Sequence, residues 1–468
     1  MNRFDPQRST ALAPSEVEAL AGRVSGPVVT PGGEQYDAER AGYQIVRSHR
    51  PDLIVGAVGA ADVRTAVEFA TDHGLPVAVQ GTGHALSGIA AEGGVLVNTT
   101  RMSGVRVNPE TGEAWVAAGT PWSRVVHEAA PAGLAPLSGS LPSLGAVAYT
   151  LGGGLGLLSR RYGYAADHVR GLDVVTADGR LRNVTANSDP DLFWALRGGR
   201  DNFGIVTGME IGLLPVTALY GGGMFFDGAN AIGVFETWIQ WTTTVPDEMS
   251  SSIALISFPD VPALPEPLRG RHIVHVRFAY TADDLSGGEP LVAPLRALDP
   301  IIDTLNELPY TQAGTIYNDP PVPGAFEGDT AMMGPLDAGA VRAILDHAGP
   351  HAPVPHIVEL RHLGGRIAAP PPVGNAVGHR DASYLFNISS RLERADIDEI
   401  RPAHDRLLKA IAPWTTGGRA LNFMNGENAG TVVDTAYEAT TLRRLTRLKS
   451  IYDPQNTFRH NHNIRPAE

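Results

Sequence analysis

The chain contains no cysteine. That one absence excludes disulfides, thiol nucleophiles, zinc–thiolate centres and iron–sulfur clusters together. No apolar run approaches the ~20 residues that a membrane-spanning helix requires. The opening MNRFDPQRSTALAP lacks the apolar core of a secretory signal, so a soluble cytoplasmic protein is expected. Positive charge is short: the net charge of −13 argues against nucleic acid or an anionic membrane as partner, since either needs a basic face. It also disfavours a strongly anionic substrate unless a local basic cluster overrides the average. There is no internal repeat and no low-complexity run. No G-x-S-x-G elbow appears, which disfavours a serine hydrolase.

What is present is a globular composition, 43% hydrophobic and 19% charged, in 468 residues. That length implies two domains, or one enzyme domain carrying a large insertion. Glycine (53 residues) and proline (36) are abundant, which points to tight turns and strand junctions rather than a helical bundle. Residues 52–80 read as a β-α-β unit. DLIVGAV is a buried strand, Val63, Ala66, Val67 and Ala70 recur at helical spacing up to a stop at Gly74, and PVAVQG is a second strand. Hairpins are expected to turn at Pro109–Gly112 and at Asp178-Gly179. Helices are expected in PWSRVVHEAAPAGL and DPDLFWALRGG. Beyond residue 217 the texture changes to alternating strands, longer helices and proline-rich loops. The expected division is 1–217, 218–415, and a segment 416–468 that does not read as a separate domain.

Three glycine-rich turns carry the chemistry. Gln80–Gly88 follows a strand and ends at His84. Successive backbone N–H groups in such a turn form an anion nest, although an ordinary tight turn with a surface histidine fits this segment alone equally well. In 138–163, glycines at 152, 153, 154 and 156 leave backbone bare, so something large must lie against it. As a dinucleotide fingerprint this run fails, because the third glycine and a preceding strand are missing. RGGRDNFGIVT at 197–207 is the third turn. The tail YDPQNTFRHNHNIRP puts His460 and His462 on one face if extended, but no third metal ligand is apparent, so no metal is expected. His272 and His275 read as core or edge histidines of a strand.

Taken in order, these motifs resemble the flavin oxidases that are similar to berberine bridge enzyme, within the vanillyl-alcohol-oxidase or PCMH superfamily. The family pattern R-G-G-G-H-S-x-x-G meets Gln80-Gly81-Thr82-Gly83-His84-Ala85-Leu86-Ser87-Gly88. C-P-T-V-G-x-G-G-H-x-x-G-G-G aligns without gaps onto Leu141 to Gly154. N-F-G-I/V-V-T meets Asn202 to Thr207, and Y-D-P-x-N-x-F-x-x-N-x-N-I-x-P meets the tail. The resemblance implies an α+β fold: a PCMH-type two-part FAD-binding domain with an inserted α/β substrate domain, an antiparallel sheet covered by helices. It implies that FAD is held by Gln80, Gly81, Thr82, Gly83, Ala85 and Ser87, by Ser143, Leu144, Gly145 and Tyr149, and by Gly152, Gly153, Gly154 and Gly156. Gly204, Ile205 and Val206 are expected at the adenine end, and Asn461 and Asn463 near the flavin or ribityl chain.

The resemblance further implies that His84 bonds covalently to the flavin 8α carbon, a reaction that suits neutral imidazole. Leu141 stands where some members attach a cysteine, so His84 is the single expected link. Leu144 replaces a valine seen in strong oxidases, and Tyr149 replaces a histidine near the ring. The implied activity is hydride transfer from a small organic molecule, an alcohol, amine or secondary metabolite, with dioxygen reoxidising the flavin. A dehydrogenase using another acceptor and a flavin-fold binding protein are the alternatives. Ala420-Leu421-Asn422-Phe423 lacks the family's tyrosine base. Tyr149, Glu359 and Tyr384 are the candidate catalytic residues in its place. The strand HIVELRHL puts Glu359 and Arg361 on one face, as a proton acceptor and its neighbour or as a cross-strand ion pair. Tyr310, Arg361 and Asn422 are expected at the substrate. A monomer or homodimer is expected.

Overall fold

Short apolar runs between the glycine turns build three sheets. The computed structural model describes residues 12–84 and 89–467. In the first sheet, Leu53–Gly56, Val95–Asn98 and Val77–Gln80 run parallel, with Val28–Val29 antiparallel at the outer edge. These three strands are almost wholly buried, which is why they read as continuous apolar runs rather than alternating ones. The expected β-α-β unit is present. Helix Ala60–Asp72 crosses between two of the strands and buries Val63, Ala66, Val67 and Ala70 completely. It stops at His73, followed by Gly74 at φ +66°. Val77–Gln80 is the last strand in the order, and its carboxyl end opens into the Gly81–His84 turn.

The second sheet is antiparallel, in the order Val105–Asn108, Glu113–Ala117, Ile205–Gly212, Val169–Val175, Leu181–Thr185. Its two hairpins turn where the sequence placed them, through Gly112 (φ +65°) and Gly179 (φ +71°). Helices Trp122–Ala129, Ala146–Leu151 and Pro190–Gly199 pack on it around Trp122, Phe193 and Phe203, none more than 1% exposed.

The third sheet has eight strands, all between Ala218 and Arg391. Strand alternation sorts its residues onto two faces. Phe226, Val276, Phe278, Ile253, Leu360, Tyr384 and Phe386 pack in one core with Trp238, Ile344 and Leu407 of helices Ala231–Thr242, Ala338–Ala348 and Ile397–Ile411. The register puts Arg277, Ser252, Arg361 and Leu385 in one row of the opposite face, with His275, Ala254, Glu359 and Asn387 in the next. After this sheet the chain returns. Helix Ala439–Tyr452 leads to residues 457–464, where Val77 N–H donates to the Thr457 carbonyl at 2.9 Å and Ile464 N–H donates to Asn202 Oδ1 at 2.8 Å. Among the described residues no helix is long and apolar enough to cross a membrane.

Candidate active site

The turn after Val77–Gln80 is pinned from outside. Tyr43 N–H donates to the Thr82 carbonyl at 3.1 Å and Gln44 N–H to the Gly83 carbonyl at 3.0 Å. Gly83 sits at φ +69°, and a Cβ there would meet the Gly42 Cα at 2.5 Å, so only glycine fits. This clamp delivers His84 in a fixed pose. Its ring stacks on Tyr43 with centroids 4.1 Å apart, and Nδ1 lies 2.8 Å from Thr82 Oγ1. Nε2 is buried without a partner. Burial lowers the His84 pKa from its ordinary 6.5 to about 4, so the imidazole is neutral at physiological pH. Ala85 and Ser87 lie outside the described residues.

Thr82 joins this turn to the second motif, because its Oγ1 also accepts from Gly145 N–H at 3.1 Å. Around this junction and the tail stand polar atoms that no described residue satisfies: Gln80 Oε1, Ser143 Oγ, Tyr149 Oη, His460 Nε2, Asn461 Oδ1 and Asn463 Oδ1, together with His84 Nε2. Buried polar atoms are rarely left unpaired in a finished fold. Their concentration on the two motifs and the tail is what an extended polar cofactor such as FAD would answer.

The glycine run is different. The Cβ direction of Gly152 runs into Asn422 and Arg200, that of Gly153 meets Val377 at 3.4 Å, and that of Gly154 meets Tyr149 and Ala165 at 2.6 and 2.7 Å. A side chain at Gly156 would strike the Ser138 carbonyl. On the Cβ side this backbone is covered by the chain's own side chains, above all the Tyr149 ring, while Gly152 and Gly154 also border a second cleft with Val377 and Tyr437. Gly204 (φ +153°) likewise faces the Val175 carbonyl, and Ile205 and Val206 are core strand residues. Leu144 packs its Cδ1 over Gly139. Asn422 donates to the Tyr149 carbonyl at 2.8 Å and accepts from Arg200 at 3.0 Å, so it supports the Tyr149 helix instead of presenting free groups. Arg200 also donates to His462 Nδ1 at 3.0 Å.

Facing these loops is the polar side of the eight-stranded sheet. Glu359 and Arg361 do share one face, but the pair is buried, not solvated. Glu359 accepts from Arg277 Nη1 through one oxygen and from Arg361 Nε through the other, each at 2.9 Å. Although burial pushes its pKa up, Arg361 and Arg277 hold the carboxyl below its ordinary value. An ionised carboxylate with both oxygens engaged is a poor proton acceptor, which corrects the expectation for Glu359. Tyr384 is also corrected. Strand alternation turns it to the helix side, where its hydroxyl bonds Thr242 Oγ1 at 2.6 Å beside Trp238. Tyr310 is tied to the Pro136 carbonyl and Ser138 Oγ, both at 2.8 Å. Tyr317, not Tyr310, lies at the arginine pair: its ring is under both guanidinium groups, 4.5 Å from Arg277 and 4.8 Å from Arg361. Tyr149 rises toward the same space. Burial lifts its pKa well above the ordinary phenol value, partly offset by Arg361, so its hydroxyl stays protonated. A cleft lies between sheet and loops, lined by Gly156, Arg160, Ser252, Arg277, Tyr317 and Arg361 among others.

Two family models match the chain: "FAD binding domain" over residues 51–185 and "Berberine and berberine like" over residues 421–465. They fall on the two parts that carry the unpaired polar atoms. Together the two matches support a berberine bridge enzyme-like FAD-linked oxidase of the PCMH superfamily. Among curated relatives, (R)-6-hydroxynicotine oxidase of Paenarthrobacter nicotinovorans is 29% identical over 459 residues, covering 95% of this chain and 97% of that one. YgaK of Bacillus subtilis, an uncharacterised FAD-linked oxidoreductase, is 27% identical over 95% of this chain and 98% of its own. Glucooligosaccharide oxidase of Acremonium strictum, 20% identical, superposes with a TM-score of 0.83 over 97% of this chain and 99% of that chain, which shows the shared fold.

Sequence reasoning missed Arg277, Tyr317 and Arg200, and weighed His460 only as a metal ligand. Arg277 had a usable signal. RHIVHVRFAY and HIVELRHL alternate alike, and matching the two alternations puts Arg277 on the same face as Glu359 and Arg361. Tyr317 follows a short 3-10 segment, Tyr310–Thr315, and no periodicity marks which of the two tyrosines faces inward.

Proposed function

We propose that this chain binds FAD covalently through His84, oxidises a small organic substrate held beneath the Arg277–Arg361 face, and passes the electrons to dioxygen. The carrying observation is the His84 Nε2: neutral, buried and unpartnered at the rim of the Gly81–Gly83 turn. With Nδ1–H donated to Thr82, whose hydroxyl accepts it beside the Gly145 N–H, the Nε2 lone pair is free to bond carbon. Glucooligosaccharide oxidase is described as carrying a histidyl and cysteinyl FAD. Here Leu141 stands at the position the family gives to cysteine, which leaves one link.

Gln80, Ser143, His460, Asn461 and Asn463 supply the unpaired groups for the cofactor, with the Gly81–Gly83 amides at its phosphates. When bound, the flavin supplies a two-electron hydride acceptor. The protein's share is position and protons. The Tyr149 phenol donates a hydrogen bond to the substrate's oxygen or nitrogen, and the Arg277–Glu359–Arg361 cluster fixes the roof above it. Leu144 over Gly139 shapes the approach to the ring edge.

Acid precipitation tests the attachment. Wild-type pellets keep their yellow colour and His84→Ala releases it into the supernatant. Colour retained in the variant pellet refutes attachment through His84. Rapid mixing of reduced protein with dioxygen tests the acceptor; reoxidation far slower than turnover with an artificial acceptor refutes the oxidase reading.

A further inference from the structure

The polar groups left unpaired among the described residues beside this cleft are rich in hydrogen-bond donors. Arg361 spends Nε on Glu359, and neither of its terminal nitrogens has a partner among the described residues. Arg277 spends Nε on His275 Nδ1 at 3.2 Å and Nη1 on Glu359 and Ser252, leaving Nη2. His362 accepts at Nε2 from Arg160 at 3.0 Å, so its proton resides on Nδ1, which is buried and unpartnered. The Tyr149 hydroxyl, also unpartnered, lies within 3.0 Å of where a Gly156 Cβ would stand on the cavity wall.

Charge points the same way. Arg277 and Arg361 share one carboxylate, Glu359, which does not itself line the cavity. Arg160 lines it too, ion-paired at 3.3 Å with a half-exposed Asp247 and spending its other donors on carbonyls of Met249, Leu363 and Pro246. Asp319, the next carboxylate, is bonded to Ser140 Oγ at 2.9 Å and makes no ion pair with either arginine. A buried cationic excess with forked free donors is stabilised by a planar anion that accepts two parallel N–H bonds.

We propose that the substrate of this site carries a carboxylate, held end-on by the Arg361 fork with Arg277 beside it. This rests on the preceding reading only in taking the cavity as the substrate chamber over the flavin. It runs against the overall charge of −13, and the local cluster overrides that average.

The test titrates the yellow holoprotein with benzoate and with the neutral isostere benzamide, following flavin absorbance and, independently, calorimetry. Expected are at least tenfold tighter binding of benzoate, loss of that preference in Arg361→Gln, and several-fold tighter benzoate binding in Glu359→Gln, where one negative charge is removed. The opposite signs of the two variants separate a ligand contact from general damage to the roof. Equal binding of the two probes by yellow wild-type protein overturns the proposal, and so does a Glu359→Gln variant that weakens benzoate as Arg361→Gln does. A colourless chain that still prefers benzoate by calorimetry sinks the flavin reading and leaves this one standing.

Discussion

Lys449 is the most sharply predictable residue outside the cavity. Its ammonium is wholly buried and donates to the Asn202 carbonyl at 2.6 Å, Asp453 Oδ2 at 2.7 Å and the Phe458 carbonyl at 2.9 Å. All three of its donors are therefore used. Asp453, equally buried, also accepts from the N–H groups of Thr457 and Phe458 at 2.7 and 2.9 Å. Lys449→Met keeps the stem and removes the charge, leaving Asp453 uncompensated and the Asn202 carbonyl without this donor. Breaking a buried ion pair from one side costs about 3–5 kcal/mol. At about 2 °C per kcal/mol for a unit of this size, the melting temperature falls by about 6–10 °C. The double variant Lys449→Met/Asp453→Asn removes both charges and loses less than the two single changes combined, because the pair is coupled. Thermal unfolding of all four proteins at one pH and one flavin content measures this. A single variant melting within about 2 °C of wild type, or a double variant that is strictly additive, refutes the reasoning.

Tyr149→Phe separates stability from activity. The hydroxyl has no internal partner, so its removal leaves the melting temperature unchanged or slightly higher, while kcat/KM falls about tenfold for one lost hydrogen bond to the reacting ligand; unchanged kinetics would show that the phenol touches no ligand. Burial lowers the pKa of His49 and His356 to about 4 and that of His404 and His462 to about 3. These groups take up protons on unfolding but not in the folded state, so stability is lost as pH falls from about 6.5 toward 4, by about 1.4 kcal/mol per pH unit for each. Urea midpoints that stay level between pH 7 and pH 5 would contradict this.

The local elements were legible because their signals are local. The helix Ala60–Asp72 shows its apolar stripe and its glycine stop, and the two hairpins show their turn residues. His84, Thr82 and Ser143 could be placed by motif order alone. What was not legible depends on side-chain direction across long sequence separations. Tyr384 lies in a strand whose opposite face carries Leu385 and Asn387, in the rows of Arg361 and Glu359. Glu359 looks like a base until Arg277, 82 residues earlier in the chain, is seen on its second oxygen. At Gly152–Gly156 the Cβ directions meet Tyr149 and Asn422, and only folding brings Asn422 there. Arg200 holds Asn422 and His462 together from a φ of +57°, a conformation that sequence alone gives no reason to expect at an arginine.

The fastening of residues 449–464 onto Val77 and Asn202 has a mechanical meaning. Residues 449–464 therefore act as a clasp: loosening them unseats the Val77–Gln80 strand, whose carboxyl end carries the Gly81–His84 turn, although the two lie far apart in the chain.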